Sequence, residues 1–195
     1  MKPMHHGAPA HTFRVADKEH QFLAFRDEAA QKRNVLEREL ATKPEIAELV
    51  IDFRGVDAMT NSYADELIGK FYVTLAAGDA GVSTVELVGL SEETRDAITV
   101  CLERRKLAAV DADLGKLLGQ SAAIDETYSC VVRLGEFRAG DVAESMGISL
   151  TNANNRLKRL AEAGAVHRER VASPEHGGRE FNYRVPRSIT STVGR

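Results

Sequence analysis

The sequence contains no tryptophan, only two cysteines and five prolines, and no long apolar run. Without roughly 20 consecutive apolar residues, no segment is expected to cross a bilayer as a helix. Residues 1–11 also lack the apolar centre of a signal peptide. Cys101 and Cys130 have no CxxC spacing and no histidine at ligand-like distance, so we expect both to be reduced and structural. These absences predict a cytoplasmic protein without a metal or other cofactor.

Charge is unevenly distributed along the 195 residues, although the net charge is only −3. Residues 1–135 carry 16 Lys and Arg against 22 Asp and Glu, a net of −6. Residues 136–195 carry 10 against 7, a net of +3. An acidic stretch repels DNA phosphates and a basic stretch attracts them, so the asymmetry indicates two functions on one chain.

The front half shows the alternation of helices and strands that is typical of α/β proteins. The apolar run Leu49–Phe53 predicts a strand covered on both faces. The other expected elements are a short strand at 12–15, a helix at 22–41 with Phe25, Ala29, Leu36 and Leu40 on one face, a loop at 54–60, a helix at 61–76, a strand at 82–90, and a helix capped by Ser91. Residues 108–121 are expected to form a linker with at most a short helix.

The rear part has a different pattern, in which three short helices precede two strands. Helices are expected at 124–134, at 137–147, and from Ser149 to about residue 165, with Ser149 as the N-cap of the third. Residues 166–171 and 180–185 are expected to form a β-hairpin around a loop rich in Gly, Pro and Ser. The order is helix, helix, turn, helix and hairpin.

Polar and basic residues crowd the exposed face of the third helix. Asn is a mediocre helix former, so three in four positions need an explanation. Asn can pair with adenine in the major groove, and Arg and Lys can contact guanine or phosphate. The candidate DNA-binding residues are Thr151, Asn152, Asn154, Asn155, Arg156, Lys158 and Arg159 in the helix, with Arg168, Arg170 and Arg179 in the hairpin; Arg184 also suits phosphate contact. The alternative is a solvated polar helix face.

The segment from residue 122 resembles the winged helix-turn-helix domains of bacterial repressors of the MarR and ArsR kinds. Gly147-Ile-Ser149 is similar to their turn, and residues 155–164 are similar to their recognition helix running into the wing. The resemblance implies binding of a dimer to a palindromic operator in double-stranded DNA. Winged helices also serve as protein-docking modules, which leaves a second function open.

The front half resembles the bacterial STAS-like domains, relatives of anti-sigma-factor antagonists, over residues 25–106. The resemblance rests on Asp52-Phe-x-Gly-Val56 followed by Ser62-x-Ala-Asp-Glu-Leu67. It implies a small α/β domain without established catalytic activity that binds protein partners, in some cases a histidine-kinase-like ATPase. The candidate partner or regulatory residues are Asn61, Ser62, Asp65 and Glu66.

Antagonists of this kind are phosphorylated on a serine where the loop meets the helix. Here Asn61 aligns best with that serine, and Ser62 follows it. Asp65 and Glu66 in the first turn would repel a phosphate on Ser62. We therefore expect Ser62 and Asp65 to form a capping box, with regulated phosphorylation and direct partner contact as alternatives.

An enzyme is the third hypothesis, because Asp52, Asp57, Asp65 and Glu66 follow or flank one strand end. Ligand sites of α/β folds often lie at such ends. No histidine joins this group in sequence, and no P-loop, GxSxG or HExxH motif is present. We therefore expect no enzymatic activity.

The sequence thus predicts an α/β STAS-like domain at 12–110, a linker at 111–121 and an α+β winged helix-turn-helix domain at 122–187. Flexible tails are expected at 1–11 and 188–195; a metal site at His5, His6 and His11 is the less favoured interpretation of the first. The expected function is a bacterial DNA-binding transcriptional regulator whose front domain senses a signal or docks a signalling protein. The alternative is an adaptor in a partner-switching pathway that does not bind DNA.

Overall fold

The computed structural model describes residues 10–119, 122–172 and 179–186, which form a mixed α/β fold. We call residues 10–119 the front unit and residues 122–172 with 179–186 the rear unit. The front unit contains β1 (Ala10–Arg14), β2 (Gln21–Leu23), α1 (Arg26–Ala41), β3 (Glu48–Asp52), β4 (Val56–Met59), α2 (Asn61–Ala64), a π turn (Asp65–Gly69), α3 (Lys70–Ala77), β5 (Thr84–Val88), α4 (Glu92–Arg105), β6 (Ala109–Asp111) and β7 (Lys116–Leu118). The rear unit contains α5 (Ala122–Leu134), β8 (Glu136–Arg138), α6 (Ala139–Met146), α7 (Leu150–Glu162), β9 (His167–Ala172) and β10 (Arg179–Arg184).

A five-stranded sheet in the order β1-β3-β5-β6-β7 forms the centre of the front unit. The first four strands are parallel, and β7 returns antiparallel to β6. Leu49, Ile51, Val85 and Leu87 are buried in the two central strands, as the apolar run predicted. Strands β2 and β4 pair in a separate parallel sheet beside it.

Two helical segments of the front unit begin where local patterns predict and bury the residues that were expected to be buried. The expected helix at 61–76 is α2, the π turn and α3 in succession, and it buries Leu67, Ile68, Phe71 and Leu75. Ser91 caps α4, because its Oγ accepts a hydrogen bond of 3.1 Å from the backbone N–H of Thr94. Both predictions are confirmed.

The rear unit has three helices packed on an antiparallel sheet in the order β8-β10-β9. The rings of Phe137 and Tyr183 stack in its core with centroids 5.7 Å apart. Gly147 ends α6 in the left-handed region with φ 63°. Ser149 caps α7 as predicted, accepting a 3.2 Å hydrogen bond from the Asn152 N–H. The hairpin of β9 and β10 is likewise confirmed.

The two units share a continuous junction. Val110 and Leu117 of the front sheet belong to the same apolar cluster as Ile124 and Tyr128 of α5. In addition, the Val85 N–H donates a 2.9 Å hydrogen bond to the Gly164 carbonyl oxygen. The turn after α7 is thereby joined to a central strand of the front sheet, at a position that β6 leaves free.

Arg184 forms a second connection at this junction. Its Nη1 donates a 2.8 Å hydrogen bond to Glu48 Oε1 on β3. The rear unit is therefore attached to the front sheet through β10 as well as through the turn after α7.

Several expected boundaries differ from the structure. Residues 108–121, expected as a linker with at most a short helix, contain β6 and β7. Glu86 and Leu87 of β5 offer a free edge on which two residues of β6 pair, and β7 pairs with β6 in turn. The expected helix at 22–41 begins at Arg26, and its N-cap Phe25 is 68% exposed instead of buried. Phe137 lies in β8 rather than in the second helix. His11, expected in the tail, lies in β1 with its Nε2 2.8 Å from Glu39 Oε2.

Other expectations fall partly outside the described residues. These are the tails at 1–9 and 187–195 and the hairpin loop at 173–178. In the part of the chain that the structure describes, no helix has the length and apolarity to span a membrane.

Candidate functional site

The exposed face of α7 is formed by four of the predicted DNA-binding residues. Ala153, Leu157 and Leu160 are buried in the rear core and fix the rotation of the helix. Because the α-helix turns by about 100° per residue, the sides that face away from these buried residues carry Thr151, Asn152, Asn155 and Arg159. All four are exposed. They form a polar stripe along three turns, and we call it the α7 stripe.

Arg156, whose charge suggested a contact with DNA, lies between α7 and α5. Its side chain is half-buried, and Nη1 donates to the carbonyl oxygen of Ala123 over 3.1 Å and to Thr127 Oγ1 over 3.2 Å. Its Nε donates to Asn152 Oδ1 over 3.1 Å. The guanidinium therefore joins α7 to α5, and this use of its donors could not be foreseen because the partners lie about 30 residues away.

Two further predicted residues contact their own helix. Asn154 is exposed, and its Nδ2 donates a 3.0 Å hydrogen bond to the Leu150 carbonyl oxygen. Lys158 is exposed, and its Nζ lies 3.7 Å from Glu162 Oε1 one turn later. Asn154 flanks the α7 stripe, whereas Lys158 lies on the same side of α7 as Thr151 and Asn155.

The hairpin strands contribute exposed cations next to α7. Arg168 and Arg170 are both exposed on β9. The Arg168 guanidinium carbon lies 4.6 Å from the centroid of the Phe181 ring, which is a cation–π contact. The alternation of β10 placed Phe181 on the same face as Tyr183, but nothing in the sequence paired it with Arg168. Arg184 turns to Glu48 instead of solvent, and the side chain of Arg179 lies outside the described residues.

The start of α2 is capped by a residue that sequence reasoning did not single out. Thr60 Oγ1 accepts a 3.2 Å hydrogen bond from the Tyr63 N–H, and it lies 3.0 Å from Ser62 Oγ. The expected capping box of Ser62 and Asp65 is therefore wrong: Thr60 occupies the N-cap, and Ser62 lies inside the helix. Ser62 is half-buried, whereas Asn61 is exposed.

Asp65 and Glu66 are engaged in ion pairs within the front unit. Arg105 donates to the two carboxylate oxygens of Asp65 over 2.7 and 3.0 Å and holds the pKa of Asp65 below its ordinary value, although burial opposes this. Glu66 is only 3% exposed. Its burial raises the pKa, but Lys70 at 2.6 Å and Arg33 at 3.4 Å outweigh burial and lower the pKa.

The carboxylates of the enzyme hypothesis contact separate basic side chains. Arg54 binds Asp52 through two nitrogens at 2.7 and 2.8 Å and lowers the pKa of Asp52. Asp57 is exposed, with its Oδ2 3.3 Å from His20 Nδ1. Over residues 10–119, 122–172 and 179–186 there is no group of three or more His, Cys, Asp or Glu side chains that could hold a metal.

Both cysteines are free and buried. Burial raises the pKa of Cys101 to about 12, which keeps it a thiol at neutral pH.

The comparisons with known proteins bear on the front unit alone. Neither the curated proteins nor the solved structures gave a match to the chain. Residues 33–94 match the family model described as a STAS-like domain of unknown function (DUF4325), which supports the STAS-like domain that the sequence predicts within the front unit.

Proposed function

We propose that the protein is a DNA-binding transcriptional regulator in which the rear unit is a winged helix-turn-helix and α7 enters the major groove. The observation that carries this proposal is the α7 stripe, an exposed row of amide, hydroxyl and guanidinium groups on a helix whose opposite face is buried. Asn152 of this row accepts a hydrogen bond from Arg156 Nε, whereas Thr151, Asn155 and Arg159 are exposed and match the donors and acceptors of base edges.

The connection between α6 and α7 supports the helix-turn-helix assignment. Gly147 adopts the left-handed conformation and ends α6, and Ser149, two residues later, is the N-cap of α7. This tight turn holds α7 against α6 while its N-terminal half stays exposed. That arrangement is the one in which a recognition helix presents its first turns to the groove.

The α7 stripe suggests how bases would be contacted. The Asn155 side-chain amide can donate to N7 of adenine and accept from its N6 amino group. Arg159 can donate to O6 and N7 of guanine. Thr151 can contact a thymine methyl group or a phosphate. Arg156 supports the surface indirectly, because its guanidinium holds α7 against α5.

The hairpin supplies the wing of the proposed domain. Arg168 and Arg170 extend its exposed basic surface, and the Phe181 ring restrains the Arg168 guanidinium. Cations at this place suit phosphates or a narrow minor groove beside the site of α7. They would add salt-dependent affinity without determining the sequence that is bound.

The front unit is proposed to sense a signal or to dock a signalling protein, of which a histidine-kinase-like ATPase is one candidate class. Asn61 and Ser62 lie at the start of α2, where they would take part in docking. Because operators with two-fold symmetry bind two copies, a homodimer is the proposed DNA-bound state.

The proposal is tested by selecting short duplexes from genomic fragments with the purified full chain and titrating the best duplex across salt concentrations. The expected result is sequence-selective binding, with the logarithm of the affinity falling linearly against the logarithm of salt concentration. Weak binding that does not discriminate between the selected duplex and a scrambled one would refute DNA reading. It would favour the adaptor that docks proteins through both units.

A further inference from the structure

Two exposed phenylalanines lie on the front unit without a role in its core. Phe22 is 64% exposed and Phe25 is 68% exposed, the two largest exposures among the big apolar side chains of residues 10–119, 122–172 and 179–186. Exposed aromatic rings cost solubility, and they are typical of surfaces that become buried on association.

Both phenylalanines are held on ordered backbone. Phe22 lies in β2 opposite Ala58 of β4. Phe25 is the N-cap of α1, and its side chain makes no capping hydrogen bond. Between them, the Leu23 carbonyl oxygen accepts from the Thr60 N–H over 2.9 Å, and the Ala24 carbonyl oxygen accepts from Thr60 Oγ1 over 3.0 Å. The backbone that carries the two rings is therefore held beside the start of α2, and little backbone ordering would be needed on binding.

The surroundings of the two rings are acidic. The first turn of α1 carries Asp27 and Glu28, and the first turn of α4 carries Glu92 and Glu93; all four are exposed. The Ser91 Oγ donates a 2.7 Å hydrogen bond to the Asp57 carbonyl oxygen, which ties the start of α4 to β4 of the same small sheet as Phe22.

The cations nearby do not balance this acidic rim. Arg26, whose Nη1 lies 3.4 Å from Glu66 Oε2, and the exposed Lys18 before β2 are two cations against the four exposed carboxylates. The rim therefore keeps a negative potential toward solvent.

We propose that Phe22 and Phe25 anchor a protein partner that offers an apolar pocket rimmed by Lys and Arg side chains. The proposal rests on the docking role of the front unit and specifies the surface and the chemistry of its partner. Nucleic acid does not fit, because the acidic rim repels phosphates. A second copy does not fit either, because a two-fold contact would bring the rim against itself.

The test replaces Phe25 by the photoreactive residue p-benzoylphenylalanine in the full chain, expressed in the cells that carry its gene. The matched control places the same residue at Leu114, which is 53% exposed on the β6–β7 turn. The expected result is one cross-linked product of a different protein at position 25, absent at position 114. No product at position 25, or a product formed only with the chain itself, would overturn the proposal.

The cross-linked protein is then purified, and its affinity is measured for the wild type, for Phe22→Ala with Phe25→Ala, and for Leu114→Ala. We expect the double variant to lose about tenfold or more in affinity and the control to bind unchanged. Wild-type affinity should also fall with rising salt because of the charged rims. Equal binding of all three proteins, or binding insensitive to salt, would refute the proposed docking surface.

Failure here can be distinguished from failure of the DNA-reading proposal. The double variant leaves α7 untouched, so its duplex binding should equal that of the wild type. Loss of the docking surface shows only in cross-linking and partner affinity, whereas failure of DNA reading shows as unselective duplex binding by the wild type itself.

Discussion

Arg156 of α7 donates a hydrogen bond from Nη1 to Thr127 Oγ1 of α5, over 3.2 Å. The same nitrogen donates to the Ala123 carbonyl oxygen over 3.1 Å. A residue that the sequence assigns to DNA thus holds the helix that is proposed to bind DNA. Stability and duplex affinity should therefore respond differently to neighbouring arginines of α7.

Arg156→Ala should lower the free energy of unfolding by about 1 kcal/mol or more, because the two hydrogen bonds from Arg156 that join α7 to α5 are lost. Arg159→Ala should change it by less than about 0.5 kcal/mol, because that side chain is exposed. Denaturant unfolding followed by circular dichroism measures both. Equal stability of the two variants would contradict the structural role of Arg156.

Gly164→Ala should destabilise the junction between the units. Gly164 has φ +66°, and an added Cβ would lie 2.9 Å from the Val85 nitrogen and 3.1 Å from a Leu75 methyl carbon. The left-handed conformation alone costs about 1 kcal/mol for alanine, and the clash should add about 1 kcal/mol or more.

Gly147→Ala is the matched control for this position. Gly147 has φ +63°, and its Cβ would meet nothing within 4 Å, so it measures the conformational cost alone. Thermal and denaturant unfolding of both variants gives the comparison. If the two substitutions cost the same, the close approach of Gly164 to β5 is not formed in solution.

Asp65→Asn should destabilise the front unit at neutral pH and much less at low pH. Because Arg105 lowers the pKa of folded Asp65 below 3.8, the ion pair stabilises the fold above that value. The stabilisation is lost as the pH falls through the folded pKa. Unfolding curves from pH 7 to pH 2 test this, with exposed Asp96→Asn as the control. A constant difference between wild type and Asp65→Asn over this range would contradict the assignment.

His167 should make the protein less stable as the pH falls below 6.5. Burial lowers its pKa in the folded state, and Arg184 adds to the effect, so the unfolded chain binds the proton more readily. Stability is therefore lost between the ordinary value of 6.5 and the lower folded pKa.

The variant that tests this is His167→Gln, whose stability should vary less with pH across that interval. His20→Asn is the control, because His20 is exposed and asparagine tolerates its positive φ of 55°. A pH dependence that His167→Gln leaves unchanged would assign the effect to other groups.

Local signals predicted much of the fold. The caps at Ser91 and Ser149 and the buried stripes of α4 and α7 follow from residues within one or two turns, so the sequence is enough to locate them. The hairpin follows from the alternation of Phe181, Tyr183 and Val185. The apolar run at 49–53 indicated a central strand for the same reason.

Interactions over long sequence distances could not be predicted in the same way. Three-residue strands such as β6 and β7 show no periodicity and depend on the free edge of β5. The N-cap expected at Ser62 is formed by Thr60, an equally suitable residue two positions earlier. Only the fold shows that Arg156 meets Thr127 and that Asp65 meets Arg105, 40 residues away.

The site was therefore predicted in part. The α7 stripe could be located because the helical period defines which residues face away from the core. The different roles of Arg156 and Arg159 could not be predicted, because they depend on which side of α7 contacts α5. The exposure of Phe22 and Phe25 was not predicted, because the expected helix began at residue 22 and α1 begins at Arg26.

The most direct test of the account is the affinity of the selected duplex for the wild type and for Asn155→Ala combined with Arg159→Ala. Both residues belong to the α7 stripe, and both are exposed, so the fold should be unaffected. The matched control is Asn34→Ala with Arg104→Ala, the same residue types on exposed positions of α1 and α4. Fluorescence anisotropy at fixed salt should show a loss of about 30-fold or more for the first pair and none for the second. If the first pair binds the duplex as tightly as the wild type, α7 is not the recognition helix and the proposed function is wrong.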